Sequence, residues 1–315
     1  MKNYLGLLLT LIILLSLNTL ATQYTVCSGA CDFNNITTGL ENVSGTNNTL
    51  VIMESGSYTI SNITNFIIND SANMGGIYIN EEDIAIDFGD MNLTGTGTGY
   101  GIYVDNDNIT IANCNIGNYS IGIYHENSAD SYLINNTISS NNWGIRLSST
   151  NNTIIKNNVI SNTAVTALQL INTAINNTFW NNQITSSTLD IDSSGIGTSN
   201  TILNSSFDET SLNFDASAKL YVKWFFNVRL NDTTSNNVVG ATINISNITS
   251  DLIYSLITDG SGLTSTQEIS EYVVDTTGYS YQSNFEFYAY NNSNYVNNSI
   301  NITDSTTVSL TFDLE

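Results

Sequence analysis

The sequence predicts an all-β protein, a parallel β-helix followed by a small antiparallel sandwich. Three observations point there. A line that opens as Gly76-Ile-Tyr-Ile returns as Gly101-Ile-Tyr-Val, Gly122-Ile-Tyr-His and Gly144-Ile-Arg-Leu, then weakens to Ala167-Leu-Gln-Leu and Asp190-Ile-Asp, at spacings of 25, 21, 22, 23 and 23 residues. In phase with it, Asn113, Asn135, Asn157, Asn181 and Asn204 recur at spacings of 22, 22, 24 and 23, each three residues before Ile116, Ile138, Ile160, Ile184 and Phe207. From Lys219 that period gives way to alternating apolar and polar residues. A fixed period of this size marks stacked supersecondary units, and alternation marks half-buried strands.

The first segment is residues 1–21. Lys2, an apolar run from Leu5 to Leu17 and Thr19-Leu20-Ala21 have the layout of a signal peptide cut after Ala21. The competing reading is an uncleaved anchor, for which the run is short. No second such stretch follows, so the expectation is a secreted or cell-surface chain with no membrane span after cleavage. Exported chains can oxidise paired thiols, and Cys27 and Cys31 are the expected disulfide. Cys114 is left over, as a buried structural thiol.

Residues 22–215 form the expected β-helix with its capping segment. Ile36, Leu40 and Val43 have helical spacing, with Asp32 or Asn34 as the N-cap. A short amphipathic helix there would cover the first rung, whose backbone and apolar side chains otherwise stay open. Each later unit holds three short strands. In the unit from Gly122 they are Ile123-Tyr-His, Tyr132-Leu-Ile and Thr137-Ile138, with Ser, Asn, Asp and Gly at the corners. About 22 residues leave no room for a crossover helix, so each strand pairs in parallel with its copy in the next unit, about 4.8 Å away. Alternation turns Ile77, Ile102, Ile123, Ile145, Leu168 and Ile191 inward as one row, and Ile111, Leu133, Ile155, Phe179 and Ile202 as another. The asparagine line is expected as a structural ladder at a bend. Its amides would bond rung to rung and to turn backbone inside a poorly solvated corner.

The Gly-Ile starts, the Asn-x-x-Ile phase and the segment Glu54-Ser-Gly-Ser-Tyr-Thr-Ile resemble right-handed parallel β-helix proteins of the pectate-lyase-like superfamily and the NosD-type periplasmic proteins. The Cys27-to-Ile60 opening is similar to that of secreted archaeal members. The resemblance spans about residues 24–215 and implies the right hand of the coil.

Residues 219–315 form the last expected unit. After the alternating stretch from Lys219 to Leu230, strands are expected at Val238–Ile245, Leu252–Thr258, Leu263–Tyr272, Phe285–Tyr290, Val296–Ile302 and Val308–Phe312. That number of short strands suggests an immunoglobulin-like sandwich. Val239-Gly-Ala-Thr-Ile243 with Thr258-Asp-Gly-Ser-Gly262 resembles carboxypeptidase-regulatory-like and bacterial immunoglobulin-like modules, which implies a spacer.

Composition narrows the partners. With six Lys and Arg and a net charge of −22, the chain would repel a phosphate backbone, which excludes nucleic acid. Glycans or other cell-surface components remain. Asn-x-Ser/Thr sequons recur, and Asn118, Asn151 and Asn231 are the glycosylation candidates because they fall at turns or outward positions. Asn135 and Asn204 head sequons too, but as ladder members they are expected to stay bare.

Any chemistry must sit on the outward rows. Tyr78, Tyr103, Tyr124, Arg146, Gln169 and Asp192 flank the first inward row, and Asn80, Asp105, Glu126, Ser148, Ile171 and Ser194 lie two residues on. Tyr78, Tyr103, Tyr124, Arg146 and Gln169 would line a glycan-binding face. The competing view is that stacked tyrosines simply suit a pleated surface. Asp105 and Glu126 are the nearest carboxylate pair for glycoside hydrolysis. A lyase would need acidic Ca²⁺ ligands and a base such as Arg146. Ca²⁺ is the one cofactor entertained. The Gly-His-Gly and Arg-x-Lys motifs of polygalacturonases are absent. The single histidine, His125, falls in line with inward Val104 and Leu147, and there is no Cys or Met cluster for the copper that the NosD-type resemblance suggests. Two classes stay open: a structural or adhesive surface protein, and a polysaccharide lyase or hydrolase. The poverty of catalytic constellations favours the first.

Overall fold

The computed structural model describes residues 22–312, apart from 28, 37, 40–44, 47, 55, 60–64, 70–75, 187, 196–198, 216, 283 and 293. The expected signal peptide, and Leu40 and Val43 of the expected capping helix, lie outside the described residues. Among the described residues no helix is long and apolar enough to cross a membrane.

The chain coils into a parallel β-solenoid of about seven turns. One face is a nine-stranded parallel sheet built from Thr22–Val26, Asn48–Ile52, Ile77–Ile79, Tyr100–Val104, Ile121–Glu126, Trp143–Ser148, Thr166–Ile171, Leu189–Ser193 and Leu212–Phe214. Its register stacks Leu50, Ile77, Ile102, Ile123, Ile145, Leu168, Ile191 and Leu212 in one line. A second line runs Ile86, Ile111, Leu133, Ile155, Phe179 and Ile202. A third runs Leu93, Ile116, Ile138, Ile160 and Ile184. Almost all of these side chains are sealed from solvent, and each contributes roughly 1.5–3 kcal/mol by burial.

The repeated glycine has a steric cause. A Cβ on Gly122 would lie 2.6 Å from Ile138 Cγ2 and 2.7 Å from the carbonyl oxygen of Gly144. The third inward line presses against the first sheet at that point and leaves no room for a side chain.

The asparagine line sits at the bend between the second and third inward lines, and here the structure corrects the expectation. Asn113, Asn135, Asn157, Asn181 and Asn204 all have left-handed backbone, with φ of 57, 56, 56, 56 and 47°. Asparagine enters this region more readily than most residues. That conformation turns their side chains to the surface, exposed or half-exposed. The buried corner positions are one residue on: Cys114, Asn136, Asn158, Asn182 and Ser205.

The N-terminal end is closed as a cap. Cys27 and Cys31 are joined by a disulfide. Asp32 accepts from the Thr25 backbone at 2.8 Å and from its hydroxyl at 2.9 Å. Asn35, not Asp32 or Asn34, caps the helical turn that follows, by accepting from the Thr38 amide at 2.8 Å. The hydroxyl partner keeps Asp32 on the strand instead. Ile36 enters the core.

The other end is closed by the long strand Lys219–Asp232. Its first residues pair in parallel with Ser199–Leu203, so Val222 continues the second inward line past Ile202. Gln267–Asp275 pairs with it antiparallel and sets Tyr272 beside Val222. Leu220 and Val222 belong to the solenoid core, while Phe226, Val228 and Leu230 belong to a second core. The alternation at Lys219 therefore begins as one more rung. The second core is closed by a four-stranded antiparallel sheet of Leu252–Ile257, Thr242–Ser246, Phe285–Asn291 and Asn294–Ile300.

Candidate functional site

A row of outward side chains runs along the middle of the first sheet. Register places Tyr78, Tyr103, Tyr124, Arg146, Gln169, Asp192 and Asn213 in a row. Neighbouring rungs stand about 4.8 Å apart, close enough for these side chains to bond one another.

They do so in two runs. In the first, the Tyr78 hydroxyl donates to Asp105 Oδ2 at 2.8 Å, the Tyr103 hydroxyl to Glu126 Oε2 at 2.9 Å and the Tyr124 hydroxyl to Glu126 Oε1 at 2.9 Å. Asn106 Nδ2 adds a bond to Asp105 Oδ1 at 2.9 Å. In the second, Arg146 Nε donates to Gln169 Oε1, Gln169 Nε2 to Asp192 Oδ2 at 2.8 Å, and Asn213 Nδ2 to Asp192 Oδ1 at 2.8 Å.

The tyrosines of the first run, with Tyr100, form an aromatic cluster that reaches Arg146 at the head of the second. Ring centroids are 5.2 Å apart for Tyr78–Tyr103, 5.5 Å for Tyr103–Tyr124 and 5.1 Å for Tyr100–Tyr124. The Arg146 guanidinium carbon stands 4.8 Å from the Trp143 ring centroid and 5.8 Å from that of Tyr124, within range of cation–π attraction. Tyr100 and Trp143 did not figure among the sequence candidates. Each precedes the repeat glycine, at Gly101 and Gly144, and that position is the signal that could have found them.

The row is outward, but it is not open. Tyr78 is 8% exposed, and Tyr103, Tyr124, Arg146 and Gln169 are half-buried. Burial pushes the phenol of Tyr124 up to about 12, helped by Glu126. Burial first, and the bonded carboxylate second, raise Tyr78 and Tyr103 as well. The hydroxyls therefore stay protonated, as donors. Burial lowers Arg146.

Asp105, Glu126 and Arg146, the catalytic candidates, share this face, the two carboxylates in the first run and Arg146 in the second. Their bonding partners are tyrosines, amides and rings. Among the described residues no three His, Cys, Asp or Glu side chains gather where a metal ion could sit. His125 is fully buried in register between Val104 and Leu147. Its Nδ1 shares a hydrogen bond with the Ser128 hydroxyl, and its Nε2 is buried without a partner. It belongs to the core. Cys114 is also buried, which raises its thiol well above the usual range.

The glycosylation candidates lie apart from this face. Asn118 is exposed and donates to the Gly95 carbonyl at 2.7 Å. Asn151 is half-buried and accepts from Asn176 Nδ2 at 3.3 Å. Asn231 is half-buried, with its Oδ1 enclosed and unpartnered. Asn135, expected to be shielded, is exposed, because left-handed backbone turns it out of the corner.

Comparison with known proteins gives one result. A family model described as right handed beta helix region matches residues 49–208. No curated protein and no solved structure matches the chain.

Proposed function

The chain belongs to the right handed beta helix family, and on that premise we propose that it is an exported surface protein with a structural or adhesive role, which binds glycans along the aromatic row of its first sheet. The fold is consistent with the pectate-lyase-like superfamily. The aromatic cluster supports the glycan role: Tyr78, Tyr100, Tyr103, Tyr124 and Trp143 crowd one face beside Arg146 and two carboxylates. Aromatic rings offer apolar faces with a polar tip, the combination a sugar ring matches with its C–H face and its hydroxyls. The acidic charge of −22 favours neutral or cationic glycans. The C-terminal unit, whose strands surround their own core, serves as a spacer of immunoglobulin type.

A non-enzymatic role fits the carboxylates. A hydrolase needs one carboxyl to give up a proton and another to attack or activate water. Asp105 and Glu126 instead accept tyrosine hydroxyls. The test is a glycan array with the full chain, followed by titration of any bound oligosaccharide and assays for reducing ends and unsaturated products. Binding that weakens about tenfold in Tyr103→Ala/Tyr124→Ala, ~1.4 kcal/mol, with no product, is expected. Turnover, or binding indifferent to the double substitution, would overturn the proposal.

A further inference from the structure

The C-terminal unit carries an aromatic surface of its own, separate from the solenoid row. Strand alternation gives its four-stranded sheet two faces. Ile243, Ile245, Phe285, Phe287 and Ala289 turn into the second core. Their neighbours turn outward, and register fixes how these meet. Across Thr242–Ser246, Phe285–Asn291 and Asn294–Ile300, one row is Thr242, Tyr290 and Tyr295, and the next is Asn244, Tyr288 and Asn297. Three rings therefore fall on one patch. Tyr288 is 41% exposed, Tyr290 38% and Tyr295 68%. The Tyr288 centroid stands 5.5 Å from that of Tyr290 and 6.2 Å from that of Tyr295, with interplanar angles of 33° and 35°. Behind the rings Phe287 and Ala289 are sealed in the core. The platform is thus set before any ligand arrives, which lowers the cost of ordering it on binding.

The groups around the rings select the ligand. Thr242 offers a hydroxyl, and Asn244 and Asn297 offer amides, which both donate and accept without carrying charge. Apart from the tyrosines, Glu286 is the one ionisable side chain that these three strands turn outward. On a chain of net charge −22, such a patch suits a neutral ligand. With no Lys or Arg on it, the face gives a phosphate backbone nothing to neutralise it. A protein partner would bury the two amides beside the rings, and each would then need a fitted partner. A sugar chain brings hydroxyls along its whole length to meet them, and its C–H faces stack on phenol rings. The separation of the rings is comparable to one pyranose unit. The solenoid tyrosines differ in kind: Tyr78 is buried, Tyr103 and Tyr124 are half-buried, and all three hydroxyls are held by carboxylates.

We infer that this face binds a neutral polysaccharide, laid across Tyr288, Tyr290 and Tyr295, and that the C-terminal unit is a sugar-binding module as well as a spacer. The inference does not depend on the solenoid row, whose tyrosines lie on a different sheet.

Affinity electrophoresis of the full chain tests this, in native gels cast with neutral hydroxyethylcellulose, arabinoxylan, glucomannan or dextran, and with anionic polygalacturonate for comparison. At least one neutral polymer is expected to retard the wild-type chain. Tyr288→Ala/Tyr295→Ala should weaken that retention at least fivefold. Both side chains are exposed, so the melting curve should hold, which separates loss of binding from loss of fold. The same loss should appear when the pair is introduced into Tyr103→Ala/Tyr124→Ala, which separates this face from the solenoid row. Retention that depends on Tyr103 and Tyr124 but is indifferent to Tyr288→Ala/Tyr295→Ala would leave the solenoid row as the sugar site and overturn the inference. So would retention by no neutral polymer, or by polygalacturonate alone. Self-association in sedimentation velocity that Tyr288→Ala/Tyr295→Ala abolishes would also overturn it, by making the face a protein contact.

Discussion

The side-chain amide of Asn113 donates to the carboxylate of Asp87 at 2.8 Å, and this contact terminates a line of amides along the corner of the solenoid. Asn135 donates to Asn113 at 3.3 Å, Asn157 to Asn135 at 3.2 Å, Asn181 to Asn157 at 2.8 Å and Asn204 to Asn181 at 3.3 Å. The Ser305 hydroxyl starts the line, donating to Asn204 at 2.7 Å. Every bond points the same way, toward the anion, so each polarises the next. The line also fastens the C-terminal unit to the solenoid, since Ser305 immediately precedes Thr306–Phe312, a strand of the second core.

Asp87 is therefore the anchor. The Asn113 amide, then the Gly89 backbone N–H at 3.0 Å, hold its carboxyl below the usual carboxylate range. A carboxylate with a lowered folded pKa stabilises fully above its unfolded pKa, about 4, and that contribution is lost as pH falls through the folded value. Asp87→Asn keeps an acceptor for Asn113 but does not titrate. At neutral pH the variant should be less stable by under ~1 kcal/mol, because the site is exposed. Unfolding midpoints taken from pH 6 down to acid should converge below about pH 4. A gap that persists undiminished in acid would show that the charge on Asp87 is not what the line uses.

The two asparagines of each corner pair should behave differently. Asn158 Oδ1 accepts from the Asn136 backbone at 2.8 Å, and its Nδ2 donates to the Leu133 carbonyl at 2.8 Å, all of it buried. Asn158→Leu leaves those groups unpartnered and should cost about 2–4 kcal/mol. Asn157→Gly removes only exposed amide bonds and keeps a residue that tolerates its φ of 56°, so a loss under ~1 kcal/mol is expected. Urea unfolding of the two variants decides it. Equal losses would contradict the assignment of the buried and exposed lines.

That pair also marks where the sequence stopped being legible. The inward rows could be read because an aliphatic residue recurs with no competitor at its position, as at Ile123, Ile145 and Leu168. The corner could be located but not resolved. Asn135-Asn136, Asn157-Asn158 and Asn181-Asn182 are doublets of one residue type, and only the backbone conformation decides which member turns inward. At the ends of the line the inward member is Cys114 or Ser205, so the unbroken run of asparagine falls on the outward positions. Alternation from Lys219 was legible as a strand. It could not show that Val222 serves the solenoid and Val228 the second core, because period two is common to both. On the site face, alternation placed Tyr103 and Glu126 outward. It could not show that they bond each other, which depends on rung-to-rung register.

The hydroxyls and the rings of the tyrosine row make separable contributions. Tyr103→Phe keeps the ring against Tyr78 and Tyr124 and removes the bond to Glu126 Oε2. It should cost about 1 kcal/mol of stability and leave glycan titrations within about twofold, well under the ~1.4 kcal/mol of a tenfold change. A Tyr103→Phe variant that loses binding as completely as Tyr103→Ala/Tyr124→Ala would shift recognition from the rings to the hydroxyl.

His125 gives the sharpest dependence on pH. Burial between Val104 and Leu147 lowers its pKa to about 3. A buried base with a lowered folded pKa is neutral in both states above about pH 6.5, its unfolded value, and there it contributes no slope. Between that pH and the folded value the unfolded chain binds a proton that the native chain refuses. Stability then falls by about 1.4 kcal/mol for each unit of pH. His125→Leu continues the aliphatic line and removes the proton site, at the expense of the Ser128 hydroxyl partner. At pH 7 the variant should lie within ~1–2 kcal/mol of wild type, since one buried hydroxyl is orphaned. Between pH 7 and pH 5 it should gain about 2 kcal/mol relative to wild type. The carboxylates titrate alike in both proteins and cancel in the difference. Urea unfolding at the two pH values measures that difference. If it does not move, His125 accepts its proton in the folded chain, and the inward line at this rung is open to water.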